Sequence, residues 1–230
     1  MRNRFTRRAA LAALLAVIGA GCSPGERQVE QTIERELPRL VGPAQSYAVD
    51  VEGLQGTRGA ERVTVTGRRV QPEGAPVLDQ VVVTLRGVRY NAARRELEAV
   101  ESANLFARLL ATDLSTYLDT RPGLSAVAVR LEPPDAAGVR ARPELGQIAV
   151  PAGATVETSG RLVARGPRVA YEVAEVRAAG VPLPAVAARR LSEAINPVVD
   201  LSALPLALQV TEVRMEGAAI LLRAVGRYQR

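Results

Sequence analysis

The sequence predicts an α+β protein: one large, curved antiparallel β-sheet, a half-tube, with two or three helices packed on its concave face. Three observations lead there. Short runs rich in Val, Leu and Thr alternate apolar with polar residues and are separated by Gly- and Pro-containing turns. Strands follow strands, and no βαβ unit or Gly-rich phosphate loop is visible, which favours antiparallel pairing. Hydrophobic residues make up 47% of the chain but aromatic ones only 3%, with no Trp, so the core must be aliphatic.

The first elements are not part of that sheet. Met1 to Arg8 is a basic segment carrying Arg2, Arg4, Arg7 and Arg8, and Ala9 to Ala20 is an apolar run of 12 residues. A membrane-spanning helix needs about 20 residues, whereas a signal peptide is built this way. The small residues Gly19, Ala20 and Gly21 directly precede Cys22, the sole cysteine of the chain. Together they read as a lipoprotein export signal, with Gly19 where Leu is usual. The expected organisation is therefore a signal peptide over 1–21, a lipidated linker over 22–25 beginning at Cys22, and a single domain over 26–230. Thr6-Arg7-Arg8-Ala9-Ala10-Leu11 also resembles a twin-arginine signal, so both export routes stay open.

From Glu26 to Val41, apolar Val29, Ile33, Leu37 and Leu40 recur at helical spacing, bent or ended near Pro38. Such a stripe can lie on a membrane surface or pack on a sheet. Strands are expected where Tyr47, Val49 and Val51 alternate with polar residues, and again around Val63 and Val65. The longest run is Val77 to Tyr90, with Val81, Val83 and Leu85 on one face and Gln80, Val82, Thr84 and Arg86 on the other. Glu96 to Leu110 reads as a strand leading into a short helix over Thr112 to Leu118, capped by Thr112 or Asp113. Val127, Val129 and Leu131 form a strand that breaks at Pro133-Pro134, and Val139 and Ile148 mark two short strands. Gly166-Pro167 is the turn of a hairpin between Thr155 to Arg165 and Arg168 to Arg177. A helix over Pro184 to Ile195 presents Ala187, Leu191, Ala194 and Ile195, and stops at Asn196-Pro197. Leu206-Leu208-Val210 and Ala218-Ile220-Leu222 are the closing strands. Strands-then-helix occurs twice, which raises the prospect of two similar halves.

Composition excludes much chemistry. The chain has no His and no Lys, which removes His-based acid/base work, His-containing triads, Schiff bases and His-ligated metals. One cysteine allows neither a disulfide nor a thiolate metal site. The net charge of +6 does not point to nucleic acid, because four of the 30 basic residues lie in the signal. Without them, 26 basic residues face 24 acidic ones, a balance of +2. The scattered Asp50, Asp79, Asp113, Asp119, Asp135 and Asp200 form no spaced acid and nucleophile pair. No catalytic residue, metal or cofactor is expected.

Aliphatic strands with partly apolar second faces must bury them against helices, a protein partner or acyl chains. Val81, Val83, Leu85, Val127 and Val129, with Leu191 and Ile195, are the candidate lining of such a groove.

Ile195-Asn196-Pro197-Val198-Val199-Asp200-Leu201, followed by Leu204-Pro205-Leu206-Ala207-Leu208 to Val213, resembles the LmeA-like phospholipid-binding family, whose members have a helix ending in Asn-Pro before a Leu-Pro entry to two closing strands. Val81-Val83-Leu85-Gly87-Val88, Ala111-Thr112-Asp113-Leu114 and Tyr117-Leu118 match in the same order. The resemblance runs from about Glu26 to Val225. It implies an exported or envelope-associated protein that binds phospholipid and supports envelope integrity, with no defined catalytic residues; with the Cys22 signal beside it, the expected location is the cell envelope, membrane-anchored on the periplasmic side. The expected partners are thus phospholipid and a membrane reached through the Cys22 anchor, with no nucleic acid. The alternative is a non-enzymatic envelope assembly adaptor that uses the same apolar face for a protein, and a His-free hydrolase stands third.

Overall fold

The computed structural model describes residues 30, 33–35, 37, 38, 41–56, 58–72, 74–91, 96–143, 154–202, 204 and 206–229. The export signal, Cys22 and the strand expected at Ile148 lie outside them. Strands hold 62% of these described residues, beside three short helices among them, so the β-rich expectation holds. The first helix, α1, contributes helical residues within 30–38. It is followed by β1 (Ser46–Leu54), β2 (Gly59–Val70), β3 (Leu78–Asn91) and β4 (Glu96–Leu110). Next come α2 (Ala111–Asp119), β5 (Leu124–Glu132), β6 (Ala136–Pro143), β7 (Val156–Arg165) and β8 (Arg168–Ala178). The chain closes with β9 (Val181–Pro182), α3 (Ala185–Ile195), β10 (Val199–Asp200), β11 (Gln209–Glu216) and β12 (Ala219–Gln229).

The strands divide into two antiparallel sheets instead of one continuous surface. The first runs β1-β2-β3-β4-β12-β11 and the second β10-β8-β7-β6-β5, with β9 also on β8. Neither closes into a barrel. The two halves share an order: α1 precedes the meander β1 to β4, and α2 precedes the meander β5 to β8.

The division begins at Leu110. This residue is still extended (φ −81°, ψ 145°), and the next N–H, from Ala111, is donated to Ala218 O at 2.9 Å as α2 begins. Neither Thr112 nor Asp113 caps the helix, contrary to expectation. The strand runs directly into it, and Leu110 makes no side-chain cap bond. Asp113 is engaged elsewhere, holding the Arg69 guanidinium through both carboxylate oxygens.

The last strand pair also starts later than its alternation suggests. Leu206 and Leu208 precede β11, because Leu208 N–H turns back onto Leu206 O at 2.7 Å. That turn places Leu208, 2% exposed, in the core.

The sheets meet at β11. Its outer-edge Val210 N–H donates to Gly166 O at 2.8 Å, and Met215 N–H donates to Pro134 O at 2.9 Å. Both acceptors belong to turns at one end of the second sheet, so that end abuts the first sheet. α1 packs on the core through Ile33 and Leu37, 1% and 4% exposed. These two residues of the expected stripe therefore face protein, as the commoner fate of a surface helix would have it, while Val29 and Leu40 lie outside the described residues.

Candidate functional site

Register aligns the apolar residues of the first sheet into rungs on one face. Val49, Val65, Val83, Leu105, Ala224 and Val210 stand opposite one another in turn across all six strands. The neighbouring rungs are Val51-Val63-Leu85-Ala103 and Tyr47-Gly67-Val81-Ala107-Leu222-Val213. The other face carries the rung Asp50-Thr64-Thr84-Asn104, as the period of two requires.

Burial along these rungs is uneven. Val49, Val51, Val63 and Val81 are buried, yet Val65, Val83 and Leu85 in the middle of the face are only partly covered. Within a rung an alkyl-lined centre stays open between closed neighbours. Tyr47 borders this strip. Its hydroxyl donates to Gly42 O at 2.8 Å, and burial pushes its pKa up to about 12.

The seven residues expected to line one groove do not meet in one place. Val81, Val83 and Leu85 sit on β3 of the first sheet, while Val127 and Val129 sit on β5 of the second. Leu191 and Ile195, each 1% exposed, belong to the packed face of α3. Val129 and Ile195 share the lining of an apolar cavity of about 10 Å³ with Leu114, Leu118, Tyr171 and Val198. Such a space is on the scale of one water molecule and too small for an acyl chain. Val65 and Tyr47 were missed as candidates, although the same alternation that marks Val83 places them on its face.

The second sheet buries polar groups by pairing them. Tyr171 OH donates to Ala137 O at 2.9 Å and lies 3.0 Å from Thr158 Oγ1, which itself donates to Val139 O at 3.1 Å. Burial raises the Tyr171 pKa, partly offset by the Thr158 hydroxyl. The ring fits because position 160 is glycine: a Cβ there would meet Glu172 O at 2.2 Å and the Tyr171 ring at 2.9 Å.

Asn196, where α3 ends, acts as a piece of strand. Its Oδ1 accepts Tyr171 N–H at 2.7 Å, and its Nδ2 donates to Tyr171 O at 2.9 Å and to Ser192 Oγ at 3.0 Å. Arg121, just beyond α2, donates from Nη2 to Pro197 O at 2.7 Å while its guanidinium lies 5.3 Å from the Tyr117 ring centre. The Asn-Pro signature thus joins α2, α3 and β8 mechanically.

Several ionisable groups among the described residues are held in pairs. Asp79 bonds Arg108 at 3.0 Å, and Arg69 is held by Asp113. The Glu172 carboxyl is held below its ordinary range by Arg165 and Arg161. At Asp200 burial acts upward, but Ser202 and Arg168 outweigh it and the pKa falls. Among the described residues no group of three or more His, Cys, Asp or Glu converges as a metal site would require. No helix among them is long and apolar enough to cross a membrane.

The fold defines an antiparallel two-sheet protein with a partly covered apolar strip on one face of the first sheet. The chain belongs to the LmeA-like phospholipid-binding family, whose sequence model matches residues 22–225. No curated protein and no solved structure matches it. Phospholipid binding is thereby supported from sequence, independently of the geometry.

Proposed function

We propose that this protein is an exported envelope lipoprotein, acylated at Cys22, that holds phospholipid acyl chains on the strip centred on Val65, Val83 and Leu85. The observation that carries the reading is the match of residues 22–225 to a phospholipid-binding family. The partly covered rung centres on β2 and β3 supply a surface of fitting chemistry. Alkyl contact on such a strip gains free energy in proportion to the apolar area removed from water, about 25 cal/mol per Å². No proton transfer or covalent step is needed, so the role is binding and not catalysis. With only a short linker between Cys22 and α1, the anchor keeps the domain near its ligand's membrane, on the periplasmic side, where it supports envelope integrity.

Native mass spectrometry and lipid extraction of the purified full chain test this. Co-purifying phospholipid, reduced by Val83→Asp with the fold retained, is the expected result. Lipid-free protein that also takes up no phospholipid from vesicles overturns it. A stoichiometric, lipid-free complex with a protein recovered from the envelope supports the adaptor reading instead.

A further inference from the structure

The apolar cavity of the second sheet lies between the ends of two helices and an edge strand. Leu118 of α2, Ile195 of α3 and Val198 just beyond it contribute to one side, and Val129 and Leu131 of β5 to the other. No charged residue takes part in the lining. Leu118, Ile195 and Val198 are buried, whereas Val129 and Leu131 are only partly covered, so the lining reaches the surface along the edge strand.

Arg121 spans the same two helix ends, and it does so without a counter-ion. Its Nη2 donates to Pro197 O at 2.7 Å and reaches Ile195 O at 3.4 Å, over the Tyr117 ring. Among the described residues no carboxylate pairs with it. Asp119 accepts Val127 N–H, and Asp113 holds Arg69. Glu193 is exposed, about 200° around α3 from Ile195. Nη1 donates to no protein acceptor. Nε is the one buried side-chain nitrogen or oxygen among the described residues that lacks a hydrogen bond. Burying such a group without an acceptor is unfavourable, and its presence calls for an explanation. The carbonyls at the negative end of α3 stand where an anion would be better.

We infer that the space between α2, α3 and β5 is a binding site for a single-chain amphiphile with an anionic oxygen head. That head is a fatty-acid carboxylate or a lysophospholipid phosphate. It takes Nη1 and Nη2 of Arg121 in the bidentate geometry that suits a guanidinium, replacing the neutral Pro197 carbonyl. The alkyl chain enters between Leu118, Ile195 and Val198 and lies on Val129 and Leu131. The cavity of about 10 Å³ is the closed form of this site, too small for a chain. Because the bond from Arg121 to Pro197 ties α2 to the turn after α3, the contact that recognises the head also frees the helix ends. The site is independent of the strip, whose Val65, Val83 and Leu85 belong to the other sheet.

The test titrates the full chain carrying Cys22→Ser, free of any acyl anchor, with laurate and with lauroyl lysophosphatidic acid in a calorimeter, below micelle-forming concentrations. Saturable one-to-one binding is expected, and the tighter of the two names the head. Lauryl alcohol, which has the same chain without the charge, and inorganic phosphate, which has the charge without the chain, should each bind roughly tenfold more weakly or worse. Arg121→Gln keeps a donor for Pro197 O and should weaken the anionic ligand by a similar factor, with an unchanged circular dichroism spectrum. Should the glutamine disturb the fold, the comparison of laurate with lauryl alcohol on the parent decides. Absence of saturable binding, lauryl alcohol binding as tightly as laurate, or a folded Arg121→Gln binding like the parent overturns the site. Loss of laurate binding in Val83→Asp places the chain on the strip and overturns it too. Phospholipid extracted from the same preparations reads the strip separately: loaded protein that takes up no single-chain ligand refutes this site alone, and protein that binds laurate but carries no phospholipid refutes the strip alone.

Discussion

Glu34 of α1 accepts the backbone N–H of Val49 on its Oε1 at 3.0 Å, and Glu30, one turn earlier, accepts Val51 N–H at 3.0 Å. β1 is the edge of the first sheet, so these are N–H groups that no neighbouring strand pairs. The second half repeats the arrangement: Asp119 Oδ1 accepts Val127 N–H at 3.0 Å and Ser115 Oγ accepts Val129 N–H at 2.9 Å, on the edge strand β5. Four helical residues rise about 6 Å and two strand residues about 6.6 Å. Side chains at i and i+4 therefore match alternate donors on an extended edge, which would otherwise invite pairing with another chain.

Removing these acceptors should cost stability and expose an edge. Glu34→Ala and Glu30→Ala should each lower unfolding free energy by about 1–2 kcal/mol, read as a lower urea midpoint with an unchanged slope. The double variant should show concentration-dependent association by light scattering. Unchanged midpoints in both single variants would show that water replaces the carboxylates at no loss.

At the second edge, Asp119→Asn keeps an acceptor oxygen and Asp119→Ala does not. The asparagine should retain most of the parent stability, while alanine loses about 1 kcal/mol. Hydrogen exchange at the Val127 amide should quicken in the alanine variant alone.

Gly160→Ala should destabilise by about 2 kcal/mol or more, since its Cβ would stand 2.2 Å from the backbone oxygen of Glu172. Backbone cannot swing away as the end of a flexible side chain can. The loss should show as a drop in melting temperature with weakened near-ultraviolet dichroism from Tyr171.

Asn196→Ala leaves the Tyr171 N–H and O without their partners and should cost about 2–3 kcal/mol. Asn196→Asp keeps the acceptor but removes both donated bonds, so it should fall between alanine and the parent in urea melts. A full rescue by aspartate would show that the donated pair is unimportant.

Stability should fall at both pH extremes for identifiable reasons. The Asp200 pKa lies below its ordinary 3.8 in the folded state, so its contribution is present above that value and is lost as pH falls below it. Asp200→Asn should flatten this acid limb by less than about 1 kcal/mol, because the Asp200 side chain is only half-buried and water screens its pair with Arg168. The Tyr47 pKa is raised from 10.0 to about 12, so its contribution is complete below 10 and is lost as pH climbs through 12. Tyr47→Phe should flatten the alkaline limb in the same melts.

Much of this architecture was legible in the chain. Alternation located β1, β2, β3 and the β7–β8 hairpin, because a period of two is imposed locally by the pleat wherever one face is buried. The apolar spacing of α3 was equally clear, with Ala187, Leu191 and Ile195 buried as expected.

By itself the sequence determined the strand-rich class, the aliphatic core, the family and the absence of histidine chemistry, because these follow from composition, local periodicity and motif order. Only the tertiary structure decided that the strands form two sheets, that Val83 and Val129 lie on different ones, and that Asp113 holds Arg69 instead of capping α2. Those outcomes depend on pairing between strands far apart in the chain, such as β4 with β12, and on which side chain reaches a donor first. Neither is encoded in a local pattern, since the period that makes a strand is the same whichever partner it finds.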